Sequence, residues 1–197
     1  MTWMAGSFLT AFAGIFLLGP LIPPSMMMPL SFIVLGVLIV SGFVRQNPFM
    51  AGAMALLIPF ALGAIIYPVL NYYVASGMGS IVLMAALTAV AIFGSMALWG
   101  WTTKTNTISW GRPLFFITLG LIGVSIVNLF IGASWLAFIV SCAVVATFSL
   151  WTIFDFQRLK EAGRNGTTIH PATFALNLWL DLWNIFVSLL NIFSAFR

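Results

Sequence analysis

Long apolar runs alternate with short polar or proline-rich breaks along the whole chain. A run of about 20 apolar residues is long enough to cross a bilayer as a helix. Two of the breaks are plain, PLIPPSMMMP and TTKTNTISWGRP, whereas the fifth and sixth runs are divided only by the short turn IGAS. The pattern predicts an all-α membrane protein with seven spans, at residues 3–19, 27–45, 49–70, 79–101, 113–132, 135–157 and 171–195.

The last run, Pro171 to Phe196, differs from the others because its polar side chains recur at helical spacing. They are Asn177, Asp181, Asn184, Ser188 and Asn191, at steps of four, three, four and three residues. A charge facing lipid is expensive, so the stripe that contains Asp181 should face protein or water. The alternative is a helix lying on the membrane surface, but such helices usually carry Lys or Arg on their polar face, and here none precedes Arg197. The pattern favours a central last helix surrounded by the other six.

Composition supports an integral membrane protein, since 62% of the residues are hydrophobic, 5% are charged and the mean hydropathy is +1.17. We expect one transmembrane domain over residues 1–197, with the first run retained as a helix rather than cleaved as a signal peptide. The seven Lys and Arg residues are dispersed at the ends of apolar runs. This distribution is typical of topology signals and does not indicate nucleic-acid binding.

The basic residues also predict the orientation. With a cytoplasmic N-terminus, six of the seven fall in cytoplasmic loops, as the positive-inside rule requires. These are Arg45, Lys104, Arg112, Arg158, Lys160 and Arg164. We therefore expect the N-terminus inside and the C-terminus outside. The longest polar segment, RLKEAGRNGTTIHP, is predicted to be a cytoplasmic loop that leads into the last helix.

Candidate chemistry centres on the three acidic residues, Asp155, Glu161 and Asp181. Glu161 lies in a charged segment and is most simply a solvated partner of neighbouring bases. Asp155 ends the sixth run, where it either pairs locally with Arg158 or faces Asp181 across the bundle. Two carboxylates in a dry site cannot both ionise easily and tend to share a proton. In the second case the two aspartates would form a pH sensor.

Three other reactive residues are less informative. Arg45 closes the second run and either reaches the membrane interface or counters the charge of an aspartate pair. His170 has no second ligand at metal spacing, so a solvated loop residue is expected. Cys142 can form no intrachain disulfide and is expected to be a small buried hydrophobe.

Enzymatic motifs are absent from the sequence. It contains no Gly-rich phosphate loop, no HExxH and no intramembrane Ser with a His partner. Two intramembrane aspartates are also found in intramembrane aspartyl proteases, but the GxGD and PAL motifs of those enzymes are missing here. We therefore expect neither an enzyme nor a tightly bound cofactor.

Two blocks of sequence resemble the Bax inhibitor family, the transmembrane Bax inhibitor motif proteins. LWTIFDFQRLKEAG followed by ALNLWLDLWNIFVSLLNIF is similar to the family's aromatic-Asp-x-Gln run and its ALxLYLDxxNLFxxLL signature. Upstream, ALWGWTTKTNTISWGRPLFFITLGLIGVSIVNLFI resembles the block YGYTTKxDLSxxGxFLxxxLxGLIxxxxxNxF. The likeness extends over about the last hundred residues, with MPLSF agreeing earlier. It departs from the family at Asn106, often acidic in members, at Trp179, where members have Tyr, and at the start, where typical members carry a hydrophilic segment.

The resemblance implies a seven-helix fold with a central last helix. In prokaryotic members this fold carries a pH-sensitive calcium leak, in which the pair matching Asp155 and Asp181 is the sensor and the Arg matching Arg45 is a latch. Because calcium takes about six to eight oxygen ligands, Asn177 and Asn184 are further candidates for ion contact beside the two carboxylates. Calcium and protons would then be the transported or sensed ions, in a bacterial inner membrane.

Two other functions stay open at this point. Bacterial relatives are associated with a membrane-bound AAA protease and eukaryotic ones with cell-death regulators, so the protein could be a regulatory binding partner without transport. A calcium/proton antiporter is the third possibility. The sequence does not decide among them.

Overall fold

The computed structural model of the chain describes residues 2–44, 47–167 and 169–196. Helices account for most of these residues, and no strand occurs in the described part. The α-helices are α1 (Thr2–Ala13), α2 (Met27–Val44), α3 (Pro48–Ala75), α4 (Gly79–Thr102), α5 (Gly111–Ile131), α6 (Ser134–Asn165) and α7 (Pro171–Ser194). The all-α fold predicted from the sequence is therefore confirmed.

Six helical stretches of the described chain are long and apolar enough to cross a membrane. They are Thr2–Leu21, Pro48–Ala75, Gly79–Thr102, Ile108–Ile131, Ser134–Asn165 and Pro171–Ser194. The apolar stretch of α2, Met27–Val40, is shorter. These six agree with six of the predicted spans, and a seventh through α2 stays a prediction.

The helices form two compact units, Met1–Gly79 with Ile169–Trp179, and Ser80–Thr168 with Leu180–Arg197. The first unit contains α1, α2, α3 and the start of α7. The second contains nearly all of α4, with α5, α6 and the rest of α7. The expectation of one domain over residues 1–197 remains a prediction.

In the first unit, α1 approaches α3 through small residues on both helices. A Cβ atom built on Gly63 of α3 would lie 2.1 Å from the carbonyl oxygen of Ala11, so a larger residue would collide with backbone. A π-helical segment, Gly14–Leu18, continues α1, and a Cβ on Gly14 would lie 2.0 Å from the carbonyl oxygen of Phe60. Such small residues allow membrane helices to pack closely.

Pro59 interrupts the hydrogen-bond ladder of α3, and a serine of α1 compensates. Because proline has no N–H, the carbonyl of Ala55 loses its helical partner. The hydroxyl of Ser7 donates to that carbonyl oxygen at 2.7 Å, and Ser7 is fully buried. With this support α3 continues through Pro59 and Pro68 to Ala75, past the predicted end at residue 70.

In the second unit, α6 is held against α4 and against the segment between α4 and α5. A Cβ on Gly100 of α4 would lie 2.6 Å from the carbonyl oxygen of Ile153, so the two helices meet at backbone distance. One turn further along α6, Gln157 accepts hydrogen bonds from the backbone N–H and the hydroxyl of Thr107. These contacts fix the part of α6 that carries Asp155.

Two expectations from the sequence are wrong. The segment predicted as a long loop is mostly helical, because α6 runs to Asn165 before Gly166, with a φ of 66°, ends it. Its charged residues mark the edge of the apolar run and not the end of the helix, since Leu, Lys, Glu, Ala and Arg are all good helix formers. Cys142 is exposed rather than buried. On a membrane-spanning helix a small apolar side chain can lie against lipid as well as against protein.

α7 is the most extensively buried of the six candidate spans. Half of its most apolar 18 residues are buried, compared with 6% for the stretch that contains α5. Its large side chains Trp179 and Ile185 are almost completely enclosed, at 1% and 0% exposure. Asp181 lies between them on the helix and therefore in the protein interior.

Candidate functional site

The middle of α6 carries a stripe of buried polar side chains in an otherwise apolar helix. Its members are Ser141, Ser149, Thr152 and Asp155, which are spaced to lie on one helical face. The hydroxyls satisfy themselves locally: Ser149 donates to the carbonyl of Val145 at 2.7 Å, and Thr152 donates to that of Phe148 at 2.9 Å. The carboxylate of Asp155 has no proton to donate in this way when it is ionised.

Asp155 and Asp181 are both buried in the second unit, each with 4% of its surface exposed. Asp155 lies on α6 and Asp181 on α7, and they are close enough for the charge of Asp155 to act on Asp181. Two carboxylates have thus been removed from water together, although like charges in a medium of low dielectric repel strongly. Ionisation of both carboxylates at once is therefore unfavourable, and a shared proton or a nearby positive charge would favour the arrangement.

One oxygen of the pair lacks a partner. Oδ2 of Asp181 is buried and accepts no hydrogen bond from the described residues. The Thr152 hydroxyl interacts with Asp181 and also lies 2.9 Å from the Phe148 carbonyl oxygen, so its single proton cannot serve both acceptors at once. A buried carboxylate oxygen without a donor is unusual in a folded protein and calls for an explanation.

The local pairing of Asp155 with Arg158, which the sequence left open, does not occur. Arg158 is exposed and makes no ion pair with any described residue. The expected role of Glu161 is confirmed, because it accepts a hydrogen bond from Arg164 at 3.2 Å on the surface of α6. Of the three acidic residues, two are therefore buried together and one is solvated.

The other predicted site residues contribute less to this centre. Asn184 is half-buried and donates to the carbonyl of Leu180 at 2.8 Å. Asn177 is also half-buried, one turn before Asp181, but belongs to the first unit. Arg45 lies outside the described residues. No group of three or more His, Cys, Asp or Glu side chains able to hold a metal ion occurs in the described ranges.

Sequence reasoning missed two residues that shape the centre. Thr152 precedes Asp155 by one helical turn, and that spacing alone could have identified it. In the sequence, Gln157 is distinguished only as part of the aromatic-Asp-x-Gln run. In the structure it anchors the segment between α4 and α5 to α6, where its side chain also donates to the carbonyl of Thr105. No spacing rule predicts such a contact between segments fifty residues apart.

The sequence of the whole chain is similar to one known protein family and to several bacterial proteins. The family described as "Inhibitor of apoptosis-promoting Bax1" matches residues 1–197. An uncharacterized protein of Caulobacter vibrioides is 33% identical over 178 residues, which are 86% of this chain and 70% of that protein. The inner membrane protein YbhL of Escherichia coli is 32% identical over 132 residues, 64% of this chain and 55% of its own length. An uncharacterized membrane protein of Streptococcus pyogenes is 30% identical over 162 residues, 80% of this chain and 69% of its own.

The chain therefore spans about half the length of some of the curated relatives that it matches, and what those proteins do as a whole is a matter for proposal. Their descriptions agree with the apolar helices found here, since one is an inner membrane protein and another a membrane protein. The match over all 197 residues shows that this integral membrane protein belongs to the Bax inhibitor family.

Proposed function

We propose that the protein is a pH-sensitive calcium leak channel, gated by protonation of the pair Asp155 and Asp181. The observation that carries the proposal is the unpartnered Oδ2 of Asp181, buried within electrostatic reach of a second carboxylate. A proton shared by the pair would supply the missing hydrogen bond and remove one of the two charges. The chemistry of this site is that of a proton-dependent switch.

Loss of the shared proton drives opening. Two negative charges then face one another in a dry site, and their repulsion favours separation of α6 from α7. The same two charges attract a divalent cation. Proton and calcium therefore compete for one site, and a more alkaline medium favours calcium entry.

Calcium is the cargo of this site and not a resident cofactor. The oxygens at hand are the two carboxylates and the hydroxyl of Thr152, with Asn184 one turn further along α7 and Asn177 as a further candidate. Calcium takes about six to eight oxygen ligands, so water would complete its shell. Weak coordination of this kind suits permeation, in which the ion must also leave.

Two finer features belong to the proposal. The extensive burial of α7 supports a central last helix with the other six around it. Arg45, which closes the second apolar run of the sequence, is proposed as a latch that counters the charge of the pair in the closed state. Removing this latch in Arg45→Ala should leave the leak less tightly shut.

The proposal is tested by calcium flux into liposomes that contain only the purified protein. We expect flux that rises as the pH is raised through the physiological range, with Asp155→Asn and Asp181→Asn each flattening the dependence on pH. Glu161→Gln is the matched control, because it removes the one solvated acid and should leave the curve unchanged. Asn177→Ala should have a smaller effect than either aspartate, since it removes no titrating group.

The same assay separates the alternative functions. A pure regulator of a protease or of cell death would show no flux, and an antiporter would move calcium uphill when only a proton gradient is imposed. A full pH response in both aspartate variants would contradict the sensor.

A further inference from the structure

An open cleft of about 580 Å³ lies on the surface of the second unit, between the beginning of α5 and the middle of α6. Its wall is aromatic and its rim is basic. The side chains that matter are Arg112, Phe115 and Phe116 of α5 and Trp151, Phe154 and Arg158 of α6. The volume falls within the range of about 300–1,000 Å³ typical of small-molecule sites.

The two arginines of the rim carry charge that the protein does not neutralise. Neither Arg112 nor Arg158 has an ion-pair or hydrogen-bond partner in the part of the chain that the structure describes. Glu161, the nearest solvated acid on α6, is already paired with Arg164. Two guanidinium groups at the mouth of one cleft offer forked donors suited to phosphate oxygens.

The aromatic wall is held in place by packing. The indole N–H of Trp151 donates to the hydroxyl of Thr118 at 3.0 Å, and its ring packs edge-to-face on Phe154 with centroids 5.2 Å apart. Phe154 in turn lies against Gly111, where an added Cβ would come within 3.1 Å of the ring. These contacts fix the positions of the Trp151 and Phe154 rings.

The outer part of the wall is open to the surroundings. Phe115 is 53% exposed and Phe116 is 68% exposed, both on a helix of which little is buried. In a membrane protein, exposed aromatic rings on a spanning helix lie against acyl chains. The cleft therefore joins an apolar surface in contact with lipid to a pair of cations at its end.

We propose that this cleft binds an anionic phospholipid, with its phosphate between Arg112 and Arg158 and the start of one acyl chain along Phe115 and Phe116. The two arginines favour a ligand with an anionic head group, and the apolar wall favours a ligand that also carries an acyl chain. Under the predicted orientation the arginines lie at the cytoplasmic face, where anionic lipids attract basic residues by about 1 kcal/mol each. That attraction corresponds to about a fivefold change in affinity for each arginine.

The proposal is tested on the purified full chain in detergent, by native mass spectrometry with equal amounts of phosphatidylglycerol and phosphatidylcholine. We expect preferential retention of phosphatidylglycerol. Arg112→Gln and Arg158→Gln should each reduce that preference about fivefold, and the double variant should remove it. Arg112→Lys, which keeps the charge and loses the fork, should retain part of it.

Arg164→Gln is the matched control, since Arg164 is also an exposed arginine of α6 but lies outside the cleft. It should leave the preference unchanged. Glycerophosphate, which has the head-group phosphate without acyl chains, should compete poorly. Equal retention of both lipids, an equal loss in Arg164→Gln, or full displacement by glycerophosphate would each overturn the proposal.

Discussion

Each unit of the molecule buries a polar side chain in a membrane-spanning helix, and the two side chains are treated differently. Ser7 of the first unit is completely enclosed, and its hydroxyl donates to the Ala55 carbonyl that Pro59 leaves without a partner. Asp181 of the second unit is almost as deeply buried, yet its Oδ2 has no donor and a second carboxylate lies nearby. The Ser7 hydroxyl therefore has its hydrogen-bond partner, whereas one oxygen of Asp181 has none among the described residues.

Under the proposed function, this difference separates a structural polar group, Ser7, from a pH-sensing one, Asp181. A satisfied hydroxyl in a dry interior lowers the free energy of the folded state and has nothing to exchange with the medium. An unsatisfied carboxylate raises that free energy and is relieved by the ions that a pH-dependent channel would sense or carry. The exposed fraction alone does not distinguish Ser7 from Asp181, because both side chains are almost completely buried.

The largest loss of stability is expected at the contact between α1 and α3, where the two backbones pack most closely. Gly63→Ala places a methyl group 2.1 Å from the backbone oxygen of Ala11, so α1 and α3 must separate. We expect a loss of about 3 kcal/mol or more of unfolding free energy, measured by thermal unfolding in detergent. Gly36→Ala is the control, because nothing lies within 4 Å of its added Cβ. An equal loss in both variants would mean that close approach is not what Gly63 provides.

Removing the buried polar group should have opposite effects on stability in the two units, and both effects should be smaller than that of Gly63→Ala. Ser7→Ala leaves the Ala55 carbonyl unsatisfied and should reduce the unfolding free energy by about 1–3 kcal/mol. Under the proposed function both aspartates are ionised at alkaline pH, so Asp181→Asn removes a repelling charge there and should instead raise the unfolding temperature. In a Pro59→Ala background the N–H of residue 59 returns, so Ser7→Ala should then be milder. Destabilisation by Asp181→Asn at alkaline pH would show that the pair is structural.

Much of this contrast could be predicted from the second half of the sequence and little from the first. Helical spacing places the polar residues of α7 on one face, and Asp181 and Ser188 of this stripe are buried, although Asn191 at its end is exposed. The compensation of Pro59 by Ser7 joins residues of two helices, with no periodic signal to connect them. Gln157 and Thr107 are likewise joined only by the fold.

Charge was informative in one respect and misleading in another. The scarcity of acids in the sequence singles out Asp155 and Asp181, and both belong to the second unit of the structure. The cluster of charges after Asp155 predicts a loop, whereas α6 continues through it to Asn165. The charged residues of α6 therefore mark where the apolar run ends, and the helix itself continues beyond that point.

The central claim is that Asp155 and Asp181 share a proton that leaves in the physiological pH range. Infrared difference spectroscopy of the purified protein in lipid, recorded between mildly acidic and mildly alkaline pH, observes the carbonyl stretch of a protonated carboxyl directly. We predict a band that disappears as the pH rises, is lost in Asp181→Asn, disappears over a different pH range in Asp155→Asn because the second charge is gone, and persists unchanged in Glu161→Gln. A band that is unchanged in both aspartate variants, or no protonated carboxyl in the wild-type protein across this range, would contradict the account.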